Sequence, residues 1–428
     1  MRRGKLTLWE ATAVGLGNII GAGIFVMAGS AINLAGPGAL LAFIITALLA
    51  MSVGLNSAEM ASAFPSVEGG VYSFARLTLG DSVGFLVGLL RVVSYIIGGA
   101  AVALGFSGYL TSLDAPRYLI YPTSITLIVA LSILYKAGLK IASEFEKYLT
   151  SINIAGLVIF IVAGLIYSGP LKTSHFKPLL PHGLFGLIES SSLAFFAYSG
   201  FNTIATLTPS VKEGERNVPK AIMLSLAITT VIYILVVFTM LYIAPWQLYG
   251  TRPDPLSFAL EEARAPMAIR LTVSSVALLS TFTVTLSMII AGVRTMEQMA
   301  YDNVIPRSVA RGNRPLLIVT IAMLISLALG NVETLGLVAN FGVVFSYITT
   351  PIAVIVIRRR GITGSFKTPM YPILQILAII LSLLVTSALG YKSLEIGAMT
   401  LIVGILVYEL HEEFNLIEKK HHNSVAKD

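Results

Sequence analysis

Gly15-Leu16-Gly17-Asn18-Ile19-Ile20-Gly21-Ala22-Gly23, running on into Ile24-Phe25, lies inside an apolar segment long enough to cross a bilayer. Four glycines in nine residues are poor material for a continuous helix, since each costs about 0.5–1 kcal/mol relative to alanine in a helix interior. In hydrocarbon an unpaired backbone group is expensive, so an unwound turn survives only where it faces protein, water or a ligand. A glycine-broken membrane helix is therefore a candidate binding site, and the rest of the chain reads as scaffolding around it.

The composition agrees. Charged residues make up 12% of the 428 and apolar residues 56%, with a mean hydropathy of +0.84. Soluble domains carry about a quarter charged residues, so the fold class is all-α integral membrane. Cysteine is absent, which excludes disulfides, thiol nucleophiles and thiolate metal sites. The net charge of +7 sits in the connections between apolar segments, a topology signal rather than a nucleic-acid face. No cleavable signal peptide is expected, because the run after Met1-Arg2-Arg3-Gly4-Lys5 continues far beyond an h-region.

Segments of roughly 20 apolar residues predict twelve transmembrane helices, at 8–32, 38–60, 83–110, 120–136, 148–167, 184–208, 219–244, 267–300, 315–331, 334–357, 370–390 and 394–411. With the N-terminus inside, most of the 29 Lys and Arg fall on the inner side, so both termini are expected in the cytoplasm. Gly69 to Gly80, with Tyr72, Phe74 and Leu77 set against Arg76, reads as a short interfacial helix. Asp254-Pro255 resembles an N-cap with Pro at the first helical position and leads into Leu256 to Arg264. That stretch is either a short external helix over the outer vestibule or a surface loop.

The sixth segment gathers polar residues and a glycine near its middle, Ser190-Ser191-Ser192-Leu193-Ala194-Phe195-Phe196-Ala197-Tyr198-Ser199-Gly200-Phe201-Asn202-Thr203. Two interrupted helices five spans apart point to an inverted-repeat secondary transporter. The division is 8–167 for the first repeat, 184–357 for the second, 370–411 for two peripheral spans and 412–428 for a cytoplasmic tail. Half-helix N-termini suit a carboxylate, and exposed carbonyls suit an ammonium or small cation. An α-amino acid carries both groups. The N–H groups around Gly21, Ala22, Gly23 and Ile24 are expected to hold the carboxylate. Carbonyls near Ile19 and Ile20, with those near Phe195 and Tyr198, would receive the amine, and Phe195, Phe196, Tyr198 and Phe201 would shape the side-chain pocket beside Gly200 and Asn202.

Four motifs in order then carry a family resemblance. They are Trp9-Glu10 with Ile20-Gly21-Ala22-Gly23-Ile24-Phe25; Ala58-Glu59-Met60-Ala61-Ser62-Ala63-Phe64-Pro65 with Gly69-Gly70-Val71-Tyr72 and Gly80; Phe195 to Phe201 with Asn217-Val218-Pro219-Lys220-Ala221-Ile222; and Met299-Ala300-Tyr301-Asp302 with Ile305-Pro306. Over essentially its whole length the sequence resembles the amino acid–polyamine–organocation superfamily of permeases, in its microbial amino acid transporter branch. The resemblance implies a LeuT-like 5+5 inverted repeat with discontinuous helices 1 and 6, alternating access, and an amino acid or related amine as substrate in the plasma membrane.

Two departures stand out. Proton-coupled relatives often place a lysine on span five, where the alignment through Glu144-Phe145 and Gly156 gives Ser151. Many relatives have an acidic residue shortly after the span-six glycine, where this chain has Asn202. No cofactor is expected beyond a coupling ion, Na⁺ or H⁺. Carbonyls near Gly17 and Ile20 with Ser151, Ser280 and Thr283 would form a hard-oxygen Na⁺ site, although membrane-helix hydroxyls also simply bond back to the preceding turn. Arg91 and Arg294 lie inside predicted spans, Arg294 near Glu297 and the cytoplasmic end, whereas Glu10 and Glu59 read as inner-gate latches and Glu189 belongs to the outer vestibule. No site carboxylate awaits a cationic side chain, which favours a neutral amino acid. The other readings are an ion-independent amino acid or amine exchanger and an amine-gated channel. Neither an enzyme site nor a nucleic-acid site is visible, and the oligomeric state is not legible.

Overall fold

In the computed structural model the described residues are 5–65, 67, 70–112, 116–138, 143–250 and 252–425. Among them the regular structure is helical, apart from one isolated parallel bridge between Leu6 and Val211. In chain order the helices are α1 (Leu8–Ile19), α2 (Ala22–Ala35), α3 (Ala39–Ala63), α4 (Val71–Leu79), α5 (Asp81–Thr111), α6 (Ile120–Lys136), α7 (Ser143–Tyr167) and α8 (Gly183–Tyr198). They continue as α9 (Asn202–Thr206), α10 (Gly214–Ile243), α11 (Pro255–Glu262), α12 (Met267–Tyr301), α13 (Arg314–Ser326), α14 (Val332–Arg359), α15 (Ile373–Ser387) and α16 (Tyr391–Val425). Seven stretches are long and apolar enough to cross a membrane: Ala22–Ala63, Asp81–Thr111, Tyr148–Tyr167, Gly214–Ile243, Met267–Tyr301, Val332–Arg359 and Tyr391–Leu410. Four shorter apolar helices accompany them. The chain is a multi-pass membrane protein.

Outward faces repeat at helical spacing. Val158, Val162 and Leu165 on α7, Ile376, Ile380 and Leu383 on α15, and Ile402 and Leu406 on α16 are exposed, a girdle that only acyl chains can cover favourably. Inside it, α2 packs on α8, α5 lies between α12 and α14, and α10 lies against α1 and α3. Ser94 on α5 donates to the Ala339 carbonyl of α14 at 2.8 Å, and a Cβ on Gly342 would lie 2.4 Å from the Leu90 carbonyl oxygen, so these two helices touch backbone to backbone.

Two connections adopt the expected helices. In α4, Tyr72 and Phe74 are buried and Leu77 is exposed, while Gly69 lies outside the described residues. Arg76 bridges Asp302 at 2.9 Å and Asp81 at 2.8 Å, fastening α4 to the end of α12. Burial and the Asp302 carboxylate push the Tyr72 hydroxyl up, so it remains a donor to that carboxylate at 2.9 Å. The stretch after Asp254 is a buried helix rather than a surface loop, with Leu256, Ala259 and Leu260 packed inward. Pro255 sits so close to α2 that a Cβ on Gly29 would lie 2.7 Å from it.

Of the charges singled out in the sequence, Glu10 completes a capping box with Thr7, and Arg294 is exposed without an ion pair to Glu297. Glu59 does form a latch. It is buried at the end of α3, where it accepts from two guanidinium nitrogens of Arg358, Nε and Nη2 (2.7 and 2.8 Å), and from the Thr368 N–H (2.7 Å), binding α3 to α14 and the segment that follows. Breaking a buried ion pair by removing one partner costs about 3–5 kcal/mol, because the other charge stays uncompensated. Glu59→Ala should therefore lower the unfolding temperature by several degrees, and Arg358→Ala likewise. The double variant should lose less than the sum, by roughly 0.5–3 kcal/mol of coupling. Strict additivity would show that the pair is not a latch.

Candidate functional site

Both expected breaks are present, and their geometry follows from the glycines. α1 ends at Ile19 and α2 starts at Ala22. The Ile20 N–H closes α1 on the Leu16 carbonyl (2.7 Å), and the Gly21 N–H folds back on Ile19 (2.9 Å). Gly21 supplies no side-chain cap to α2, so the N–H groups of Ala22, Gly23 and Ile24 open that helix without an intrahelical acceptor. The unwound turn is thus Ile20-Gly21, with Ala22 and Gly23 already helical. A Cβ on Gly23 would lie 2.5 Å from Ala197 Cα, so that glycine also lets α2 and α8 meet.

The second break runs from Ser199 to Phe201, between α8 and α9. Gly200 has φ +119°, and a Cβ there would lie 2.1 Å from the Asn18 carbonyl oxygen. The two breaks therefore press backbone against backbone. Tyr233 on α10 pins them, its hydroxyl lying 3.0 Å from the Ile19 carbonyl and 3.0 Å from the Ala197 carbonyl. One hydroxyl hydrogen can serve only one of these acceptors at a time, leaving the other available to an ammonium.

Among the other expected residues, Ile24 is buried on α2. Phe195 and Phe201 clasp Tyr347 of α14, with ring centroids 5.5 and 5.3 Å away. Phe196 lies against α5 at Gly98, where Ala339 of α14 also comes close. Tyr198 points the other way, into packing with Phe43 and Tyr233, its hydroxyl near the Phe43 carbonyl and Thr230. Asn202 accepts from Ser57 at 2.8 Å and leaves its buried amide nitrogen without a partner. Tyr233, Tyr347 and Asn153 escaped the sequence reading. The signals existed, since Asn153 is the one amide in the fifth segment and Tyr233 a polar aromatic among aliphatics.

The five expected cation ligands differ in their surroundings. Ser151 is exposed, while its neighbours Thr150 and Asn153 face inward. Helical neighbours point about 100° apart, so a register error of one or two residues turns a ligand into a lipid-facing side chain. Thr150 fills the space beside Gly17, and Asn153 donates its amide to the Ile20 carbonyl at 3.1 Å. Thr283 bonds back to Leu279 and Ser280 at 3.0 Å each. Ser280 Oγ and Asn153 Oδ1 are buried without partners.

Exposure is lopsided about the breaks. Ala22 to Ser30 are all buried, capped by α11, whereas Ala13, Thr203 and Ser287 are exposed and Gly17, Asn18, Gly21, Gly200 and Asn202 half-buried. The site communicates with the side that carries the N-terminus and is shut on the other. Because Gly200 combines a glycine-favouring φ with backbone contact, Gly200→Ala must push the breaks apart, a strain of about 1–3 kcal/mol. It should weaken ligand affinity about tenfold or more in a binding assay on folded, monodisperse protein. Unchanged affinity would show that the contact between the breaks is dispensable.

The profile of the amino acid permease family matches residues 6–407. The chain is 27% identical to a branched-chain amino acid permease of Bacillus subtilis, over 95% of this chain and 92% of that one. It is 29% identical to a methylthioribose transporter of the same organism, over 95% and 93%. A vacuolar cationic amino acid transporter of Arabidopsis thaliana is 29% identical over 71% of this chain and 53% of its own. A manganese transporter of Eremococcus coleocola, solved as a mutant, shares the fold with a TM-score of 0.58 at 13% identity, over 98% and 97% of the two chains. With a family match over nearly its whole length, the chain belongs to the amino acid permeases of the amino acid–polyamine–organocation superfamily.

Proposed function

We propose that the protein is a secondary active transporter that carries a neutral, apolar α-amino acid across the plasma membrane by alternating access. In this reading twelve spans form two inverted repeats of five, 8–167 and 184–357, with 370–411 peripheral and both termini cytoplasmic. The observation that carries it is the pairing at the breaks. Three free N–H groups of α2 face the substrate carboxylate, and a carbonyl left over by the shared Tyr233 hydroxyl faces the amine. The arrangement fits a zwitterion better than a pure cation or anion. With the N-terminus inside, the open vestibule makes this the inward-facing state.

Side-chain preference rests on what surrounds the site. Phe195, Phe196 and Ile24 are apolar, and no described carboxylate, lysine or histidine stands at the breaks. That favours a leucine-like side chain, in keeping with the branched-chain permease relative, over the cargo named for the Arabidopsis relative. The methylthioribose relative supplies the rival, a neutral thioether sugar without a carboxylate.

Purified protein screened by scintillation binding against the twenty amino acids and methylthioribose should bind leucine, isoleucine or valine. Binding of methylthioribose alone would overturn the assignment. Uptake into proteoliposomes should be unchanged when Na⁺ is replaced by choline, since Ser151, one of the expected ligands, faces outward. Loss of uptake in choline would show that Na⁺ is held by other oxygens.

A further inference from the structure

Arg91 has no role in the chemistry described so far. It lies on α5, ten residues past Asp81, half-buried on the open side of the site. Among the described residues it forms no ion pair; the five that occur involve Arg76 (twice), Arg252, Arg270 and Arg358. Its partners are aromatic. One nitrogen donates to the Tyr95 hydroxyl at 2.6 Å, and the guanidinium lies 4.7 Å from the Tyr95 ring centroid and 5.8 Å from that of Tyr347. Aromatic faces hold a cation without neutralising it. Tyr347 is the ring clasped by Phe195 and Phe201, and its hydroxyl meets both the Arg91 guanidinium and the Asn202 side chain. A full positive charge thus shares one hydroxyl with Asn202 at the second helix break. The side-chain pocket is close as well, because Phe196 touches α5 at Gly98, seven residues or about 10 Å further along the same helix.

An uncompensated charge inside a membrane protein is costly to keep and therefore marks function. We propose that Arg91 is the charge filter of the permease. Its field bars amino acids with cationic side chains, and polyamines, from a pocket whose shape alone would admit their aliphatic stems. Leucine-like substrates carry no net charge and pass. Long apolar stems with charged heads fit apolar pockets well, so Phe195, Phe196 and Ile24 by themselves would discriminate weakly. At an effective dielectric of about 20, two unit charges about 10 Å apart discriminate by roughly tenfold or more. Asn202 matters for the same reason: an amide there, meeting the same Tyr347 hydroxyl, leaves the guanidinium unscreened where a carboxylate would offset it.

This inference rests on the amino acid reading above, and the two fail differently. Full-length protein in proteoliposomes is assayed with leucine, lysine and glutamate, as wild type and as Arg91→Gln, Arg91→Lys and Asn202→Asp. The wild type should take leucine and reject lysine. Arg91→Gln and Asn202→Asp should each narrow the leucine-to-lysine ratio about tenfold, while Arg91→Lys retains it, because the charge and not the shape does the sorting. Lowering salt from about 0.15 M to about 0.01 M lengthens the Debye screening from about 8 Å to about 30 Å. That change should widen the ratio in the wild type and leave it flat in Arg91→Gln. Equal effects of Arg91→Gln and Arg91→Lys, a salt-independent ratio, or uptake of lysine by the wild type would overturn the filter while leaving amino acid transport standing. Failure of all three amino acids to bind would remove both.

Discussion

Everything in this molecule hangs on a shortage of hydrogen-bond partners. A peptide group in hydrocarbon must find its partner within the chain, and a helix satisfies that demand everywhere except at its ends. Breaking two helices in the membrane interior creates four such ends, and the structure covers them with whatever comes near. Gly21 folds its N–H onto Ile19, Asn153 caps Ile20, and Tyr233 divides one hydroxyl between Ile19 and Ala197. What is left, the N–H groups at the start of α2 and one of the two carbonyls that share the Tyr233 hydroxyl, is the part that on the proposed function a ligand completes. On that reading, binding and folding draw on the same groups.

The requirement that the breaks meet explains the glycines better than flexibility does. Gly23 lies against the Ala197 backbone and Gly200 against the Asn18 carbonyl, while Gly98 makes room for Phe196. A methyl group at any of these places would separate elements whose polar groups have nowhere else to go. The surrounding helices divide accordingly. One group is tied to the breaks through α10 and α3, and another, α5 with α4, α12 and α14, is tied together by Ser94–Ala339 and Arg76–Asp302. The Glu59–Arg358 pair joins the two groups at the end where the vestibule opens.

Much of this is legible in the sequence alone, because it is written in strong local signals. Hydropathy marks the apolar segments, and glycines within them mark the breaks at Gly21 and Gly200. The Asp254-Pro255 pair marks the start of α11. What stayed hidden depends on rotation about a helix axis, which no local pattern fixes. Ser151 and Asn153 differ by two residues and so by more than half a turn, and only the packing of α7 on α1 decides which faces the break. Tyr198 sits next to the pocket in sequence and points away from it in space, whereas Tyr233, thirty-five residues on, takes the place expected of it. Distant pairings such as Glu59 with Arg358 were invisible for the same reason, although each residue was conspicuous as a charge among apolar neighbours.

One side chain brings these threads together. Tyr347 is fully buried, yet it touches the apolar pocket through Phe195, the break through Phe201 and Asn202, and the charge through Arg91. A phenol is suited to that position, since its face packs on hydrocarbon and tolerates a cation while its hydroxyl meets polar groups. A phenylalanine would preserve the packing and the cation–π contact but leave Asn202 with one polar neighbour fewer. An aliphatic residue would lose both and expose the guanidinium to the pocket directly. On the proposed function, shape selection and charge selection thus share a wall, so a ligand that displaces Phe195 or Phe201 must also move the ring on which Arg91 rests. Recognition of the side chain would in this way be mechanically connected to the break proposed to recognise the backbone of the substrate.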